Sequence, residues 1–187
     1  MKKKEYAVAN EITGSEIKDL RLSLGLGRKD MASLLGVSVK TIEYWESRET
    51  PVTGPLVLAA KLLREHPQIP EELEIPEQVM PMRLMYMFRN EMCTLIDVDV
   101  SRRIVKIRNY TDRIQFRAFG SNDHPDYDQF MEFLRSRCFP ETMDKIKLKL
   151  QALNLPFYDP LLIIEKTEGR MAEDDFYIRI IKNDRTA

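Results

Sequence analysis

Cysteine is almost missing: Cys93 and Cys138 are the two in 187 residues. That excludes a framework of disulfides, and two free, buried thiols in a reducing compartment are expected. Long apolar runs are also missing. No stretch approaches the ~20 residues that cross a bilayer, and the basic start MKKKEYAVAN leads into no apolar core of a signal peptide. A soluble, cytoplasmic protein with no membrane partner is expected, its start a frayed arm that could touch phosphates. Excess positive charge is absent as well: 29 Lys and Arg face 30 Asp and Glu, a net of -1. A basic field over the whole chain is excluded, so any nucleic-acid contact must be a local patch. With only seven glycines, no phosphate-binding glycine loop is formed. No nucleophile–base pair or convincing pair of carboxylates stands in a catalytic frame. No cofactor is implied, and the chain is not expected to be an enzyme.

What is present divides in two. Residues 1–65 carry 11 Lys and Arg against 9 Asp and Glu, a net of +2, and the remainder carries 18 against 21, a net of -3. Between them HPQIPEELEIPEQVMP, residues 66–81, holds four prolines and four glutamates. It reads as an extended, solvated linker with room for one helical turn at Glu71–Leu73. The expected domains are therefore 1–65, the linker 66–81, and 82–187.

The stretch from Ile12 to Leu63 has the periodicity of four short helices. Thr13-Gly14-Ser15-Glu16 matches a capping box, and Ile17, Leu20 and Leu24 follow at helical spacing. Gly25 and Gly27 end the first helix. A second runs from about Arg28 to Leu35, and Gly36 suits a left-handed turn. Ser38 caps a third, Val39 to about Ser47, with Ile42 and Trp45 inward. Pro55 sits in the first turn of a fourth, where its missing N–H does no harm. Two helices joined by a short glycine-containing turn make a helix-turn-helix. If Ile42 and Trp45 face inward, Val39, Lys40, Glu43 and Tyr44 face outward or to the edge, because a helix turns about 100° per residue.

LRLSLGLGRKDMASLLGVSVKTIEYWE resembles the Xre family of helix-turn-helix repressors. Its continuation TGPLVLAAKLLREHP is similar to the DNA-binding domain of MqsA- and HigA-type antitoxins. The resemblance spans about the first 70 residues. It departs at Arg28, where the family often has a phosphate-binding Gln; Arg can do that work with a full charge. The resemblance implies double-stranded operator DNA as partner, bound by a homodimer. It puts Lys40 and Tyr44 at base-reading positions, with Val39 placed to touch a thymine methyl. Arg28, Lys29, Ser38, Thr41 and Arg48 would hold phosphates, which position without specifying. It also implies that Arg21 and Glu46 pair, locking the first helix to the third.

The second part alternates differently. Met92–Val98 and Ile104–Asn109 read as a β-hairpin, with a possible strand before it at Met85, Met87 and Phe88. Helices are expected over Asp126 to Arg137, Thr142 to Leu153 and Leu161 to Thr167, then a terminal strand, Phe176–Ile181. The fold class expected for the chain is an all-α helix-turn-helix domain of four to five helices, followed by a small α+β domain with a β-hairpin and three helices. MYMFRNEMCTLIDVDVSRRIVKI, RCFPETMDKIKLKLQAL and YDPLLIIEKTEGRMAEDDFYIRI are loosely similar to the small region before the kinase core of HipA-like proteins. None of that core precedes Ala187, so the resemblance implies a non-catalytic binding module. Its partner surface is expected at the turn after the last helix: Gly169, Arg170, Glu173 and Asp174. The three charged residues there have no evident core duty.

Other features have plain readings. Asp123-His124-Pro125-Asp126 cannot aim four adjacent side chains at one metal, and a loop with helix capping by Asp123 or Asp126 is the plainer reading. Glu173-Asp174-Asp175 is a solvated acidic turn. Cys138 lies beside Arg137, which could lower its pKa, but a small buried residue at a helix end is the simpler assignment. The expected function is a DNA-binding repressor, the antitoxin of a toxin–antitoxin pair that autoregulates its operon and neutralises a toxin such as a HipA-like kinase. The alternative is a one-component regulator whose second domain senses a small ligand. An enzyme carried on a DNA-binding domain is the third.

Overall fold

The computed structural model describes residues 4–182; residues 1–3 of the expected basic arm lie outside the described residues. The chain divides into two compact units, Met1–Ile75 and Pro76–Ala187. The dividing point falls inside the proline-rich segment 66–81.

In unit 1, β1 (Glu11–Ile12) leads into α1 (Gly14–Ser23). Thr13 caps α1, accepting from the Glu16 N–H while the Glu16 carboxylate accepts from the Thr13 N–H at 2.8 Å. Then come α2 (Arg28–Leu35), the left-handed Gly36 (φ 66°), and α3 (Val39–Ser47), capped by Ser38. β2 (Val52–Thr53), α4 (Pro55–Glu65) and α5 (Ile69–Leu73) complete the unit. Ile17, Leu20, Met31, Ile42, Val57, Ala60 and Leu63 form its core. Each of these side chains larger than Ala60 contributes about 1.5–3 kcal/mol when taken fully from water. α1 and α3 approach so closely that a Cβ on Gly14 would lie 2.6 Å from the Trp45 carbonyl oxygen. Trp45 itself is half-buried at the edge of this core.

Unit 2 is built on one sheet. β3 (Met82–Phe88), β4 (Glu91–Asp99), β5 (Ile104–Asn109) and β6 (Phe176–Lys182) are antiparallel in the order β5-β4-β3-β6. α6 (Tyr127–Ser136), α7 (Ile146–Ala152) and α8 (Pro160–Thr167) complete it. Asp126 caps α6 in a capping box with Gln129. Alternation along the strands sends Leu84, Tyr86, Ile96, Val98 and Ile178 into one cluster with Phe130, Leu134, Ile163 and Ile164.

The expected fold class is corrected by these elements. The first unit is not all-α, because Glu11 pairs with Thr53 and Ile12 with Val52 in a two-stranded antiparallel sheet. The second is not built on a hairpin, because β3 occupies the middle of a four-stranded sheet, paired with β4 on one side and β6 on the other. Among the described residues the chain is mixed α+β, with eight α-helices and two sheets. Two-residue strands carry no alternation to read, and β3 meets β6 only after the chain between them has folded.

Two boundaries also move. The helix expected from Thr142 begins at Ile146, because Lys145 takes a left-handed conformation (φ 61°, ψ 25°). The segment 66–81 is not wholly extended, since α5 tolerates Pro70 in its first turn. No helix among the described residues is long and apolar enough to cross a membrane.

Candidate functional site

The exposed side of α3 gathers the residues of greatest chemical interest. Ile42 is fully buried, and the side chains opposite it point to solvent. Lys40 and Tyr44 lie one turn apart and both are exposed, Tyr44 at 59%. The Arg48 guanidinium sits 5.3 Å from the centre of the Tyr44 ring and donates through Nε to the Thr50 hydroxyl at 3.0 Å. Lys40, Tyr44 and Arg48 thus form one stripe. Val39 is half-buried and packs against the core, so part of its side chain is already committed.

At the start of α3, the Ser38 hydroxyl accepts from the Thr41 N–H at 3.1 Å, and the two hydroxyls share a hydrogen bond of 2.8 Å. This end of the helix also carries its positive dipole, which favours a phosphate. Lys29, near the start of α2, is exposed.

Behind the stripe lies a charge cluster centred on a buried carboxylate. Arg21 Nε donates to Glu46 Oε1 at 2.6 Å, and Arg21 Nη1 donates to the Leu26 carbonyl at 2.9 Å. Arg28 Nε donates to Glu46 Oε2 at 2.8 Å. The Glu46 side chain is only 2% exposed. Burial pushes its pKa up, but the hydrogen bonds from Arg21 and Arg28 outweigh that and hold the carboxyl below the usual glutamate range. The Arg21–Glu46 pair expected from the resemblance is in place. Arg28 joining it was not foreseen, and Arg28 therefore combines an ion pair with any phosphate contact. Its place at the first position of α2 was the one available signal.

The four residues expected to bind a partner in unit 2 do not act alike. Gly169 is buried, with φ 60°. Asp174 accepts from Arg137 Nη1 at 2.6 Å and Nη2 at 2.9 Å. Arg137 is buried and donates further to the Gly169 and Phe176 carbonyls at 3.1 Å each. Asp174 therefore has a structural duty that the sequence did not reveal, and its carboxyl is held below the usual range by the Arg137 hydrogen bonds. Arg170 and Glu173 are exposed. The Arg170 guanidinium lies 4.2 Å from the Tyr177 ring centre and pairs with Glu168 at 2.7 Å. A second buried pair, Arg83 to Asp97 at 2.6 Å, also went unread. Its two residues lie directly opposite each other on β3 and β4, so register alone could have found it.

Among the described residues no group of three or more His, Cys, Asp or Glu could hold a metal ion. Asp126 is spent on capping α6, and Asp123 accepts from Asn109 Nδ2 at 2.9 Å. Both cysteines are buried and free. Burial pushes the Cys138 thiol up to about 12, overriding neighbouring Arg137, so it is not an activated nucleophile. The chain matches no family model, no curated protein and no solved structure.

Proposed function

We propose that the protein is a sequence-specific DNA-binding transcriptional repressor related to the Xre-type repressors, acting in the cytoplasm. In this reading α3 enters the major groove of double-stranded operator DNA, Lys40 donates to guanine O6 or N7, and Tyr44 contacts a neighbouring base edge. Lys29, Arg28, Ser38, Thr41 and Arg48 hold phosphates on either side. The observation that carries the reading is the stripe of exposed Lys40 and Tyr44, continued by half-buried Arg48, opposite the fully buried Ile42. A homodimer on a two-fold repeat fits a helix that reads one half-site. Leu58 and Leu62, exposed one turn apart on α4, support such a contact. The second unit serves as the partner-binding part of an antitoxin that autoregulates its operon. Its toxin, a HipA-like kinase in the simplest case, would meet Arg170 and Glu173. The reading assigns the chain no catalysis and no cofactor.

Footprinting on the native promoter tests it. The Lys40→Ala/Tyr44→Ala variant should fold normally and lose discrimination of the promoter, each lost base contact costing about 1–3 kcal/mol. Protection equal to wild type would remove α3 as the reading element.

A further inference from the structure

The sheet of unit 2 ends in a strand with one open side. Among the described residues β6 is last in the order β5-β4-β3-β6, flanked by β3 alone. The Ile178 N–H donates to the Glu168 carbonyl at 2.7 Å rather than to Tyr86, its opposite on β3. Bonded and unbonded positions alternate along an antiparallel pair. The backbone N–H and C=O of Ile178, Ile180 and Lys182 therefore point away from β3. Phe176 points the same way but is already satisfied by Asp174 and Arg137. The open edge thus runs from the Ile178 carbonyl to Lys182. Beside it a groove of about 370 Å³ runs between β6 and α8, lined by Ile164, Ile178 and Ile180 with Glu165 and Glu168. Ile164 and Ile178 are almost fully buried and form its floor, and Ile180 is half-buried. Lys182 balances Glu165 at 2.9 Å, and Arg170 balances Glu168 at 2.7 Å. Arg179, between Ile178 and Ile180, turns to the opposite face of the sheet and is exposed.

We propose that this edge takes an added β-strand from a partner protein, an extended segment with an acidic residue between two aliphatic ones. The segment would bond the Ile180 N–H and C=O. In this mode main-chain bonds give affinity and alternate side chains give specificity. Its aliphatic residues would fall on the α8 side, over Ile178 and Ile180. Its acidic residue would fall on the other face, beside the Arg179 guanidinium, where opposite charges on neighbouring strands attract and like charges repel. A bare edge would pair with many strands; the exposed charge of Arg179 makes it choose. The inference goes beyond the operator reading and holds whether or not α3 binds DNA.

Panning a phage-displayed library of linear peptides against the full-length protein tests it. Enriched peptides should carry Asp or Glu between aliphatic residues. Methylating the backbone nitrogens of the leading peptide one at a time should weaken binding at alternate positions only, because alternate N–H groups face the edge. Ile180→Pro removes an N–H that points away from β3, a change that edge strands tolerate. It should weaken binding at least about fivefold, the worth of one hydrogen bond. Arg179→Glu should weaken binding several-fold, and replacing the acidic residue of the peptide by Lys should then restore it. Promoter footprints of both variants report the operator reading separately. No enrichment, enrichment of basic peptides, sensitivity at consecutive nitrogens, or undiminished binding to both variants overturns the proposal. So does a change of oligomeric state in either variant, which would make a second copy of this chain the occupant. Should Ile180→Pro fail to fold, Arg179→Glu, altered at an exposed position, decides alone.

Discussion

Arg21 and Glu46, twenty-five residues apart, meet at 2.6 Å and tie α1 to α3. Both side chains are buried, at 9% and 2% exposure, and Arg28 binds the second Glu46 oxygen from α2. One carboxylate therefore sets the mutual orientation of the helices that carry the candidate DNA-binding residues. A buried pair need not add stability over an apolar one, but removing one member leaves the other charged and dry.

Glu46→Gln should accordingly destabilise unit 1 by about 3–5 kcal/mol near neutral pH. The Glu46 carboxyl has a lowered pKa in the folded protein. Its contribution is thus full above the ordinary glutamate range and is lost as pH falls through the folded value. Urea unfolding of wild type and variant at stepped pH should show the gap between them closing in acid. A gap independent of pH would mean that the variant acts through packing instead.

Gly14→Ala probes the same contact through the backbone. The added methyl carbon would lie 2.6 Å from the Trp45 oxygen and 2.8 Å from the Glu46 oxygen, and neither can move without shifting α3. The higher helix propensity of Ala is worth up to about 1 kcal/mol, while overpacking costs about 1–3 kcal/mol. Net destabilisation is expected, read as a lower unfolding midpoint. A stabilised variant would show that the two helices are free to separate.

Lys29→Ala and Arg28→Ala should separate two kinds of cation. Lys29 is exposed, so its loss should leave the unfolding midpoint unchanged and, if it holds a phosphate, reduce the salt slope of operator binding by about 1. Arg28 also bonds Glu46, so its loss should lower the midpoint and, if it too holds a phosphate, weaken operator binding at the same time. Parallel titrations and melts would reject this division if both variants melt alike.

Asp174→Ala should destabilise unit 2 by roughly 3 kcal/mol, because it strands the buried Arg137. The carboxyl is itself 30% exposed, which argues for the lower end of the range for buried pairs. Its folded pKa is lowered, so this stability too is present above the ordinary aspartate range and fades as pH drops through the folded value. Glu173→Ala, a neighbour with an exposed side chain, should leave the midpoint within about 0.5 kcal/mol of wild type. If the proposed toxin is a partner, loss of its binding in the Asp174 variant alone would report a damaged fold, whereas loss in the Glu173 variant would report a contact.

The sequence by itself determined the features that close within a helical turn. Thr13 and Glu16 cap α1, Gly36 takes the left-handed turn, and Asp126 opens α6. In each case the partners are at most four residues apart, and local geometry leaves few alternatives. Periodicity likewise indicated that Ile42 faces inward and Lys40 and Tyr44 outward. Tertiary structure decided everything that depends on which distant segments meet. Glu11 finds Thr53, β3 is enclosed between β4 and β6, Arg28 joins Arg21 on Glu46, and Asp174 is taken up by Arg137. A hydrophobic period states which face a residue occupies but not which residue lies opposite it. That choice is made only when chain closure and sheet register bring the two together.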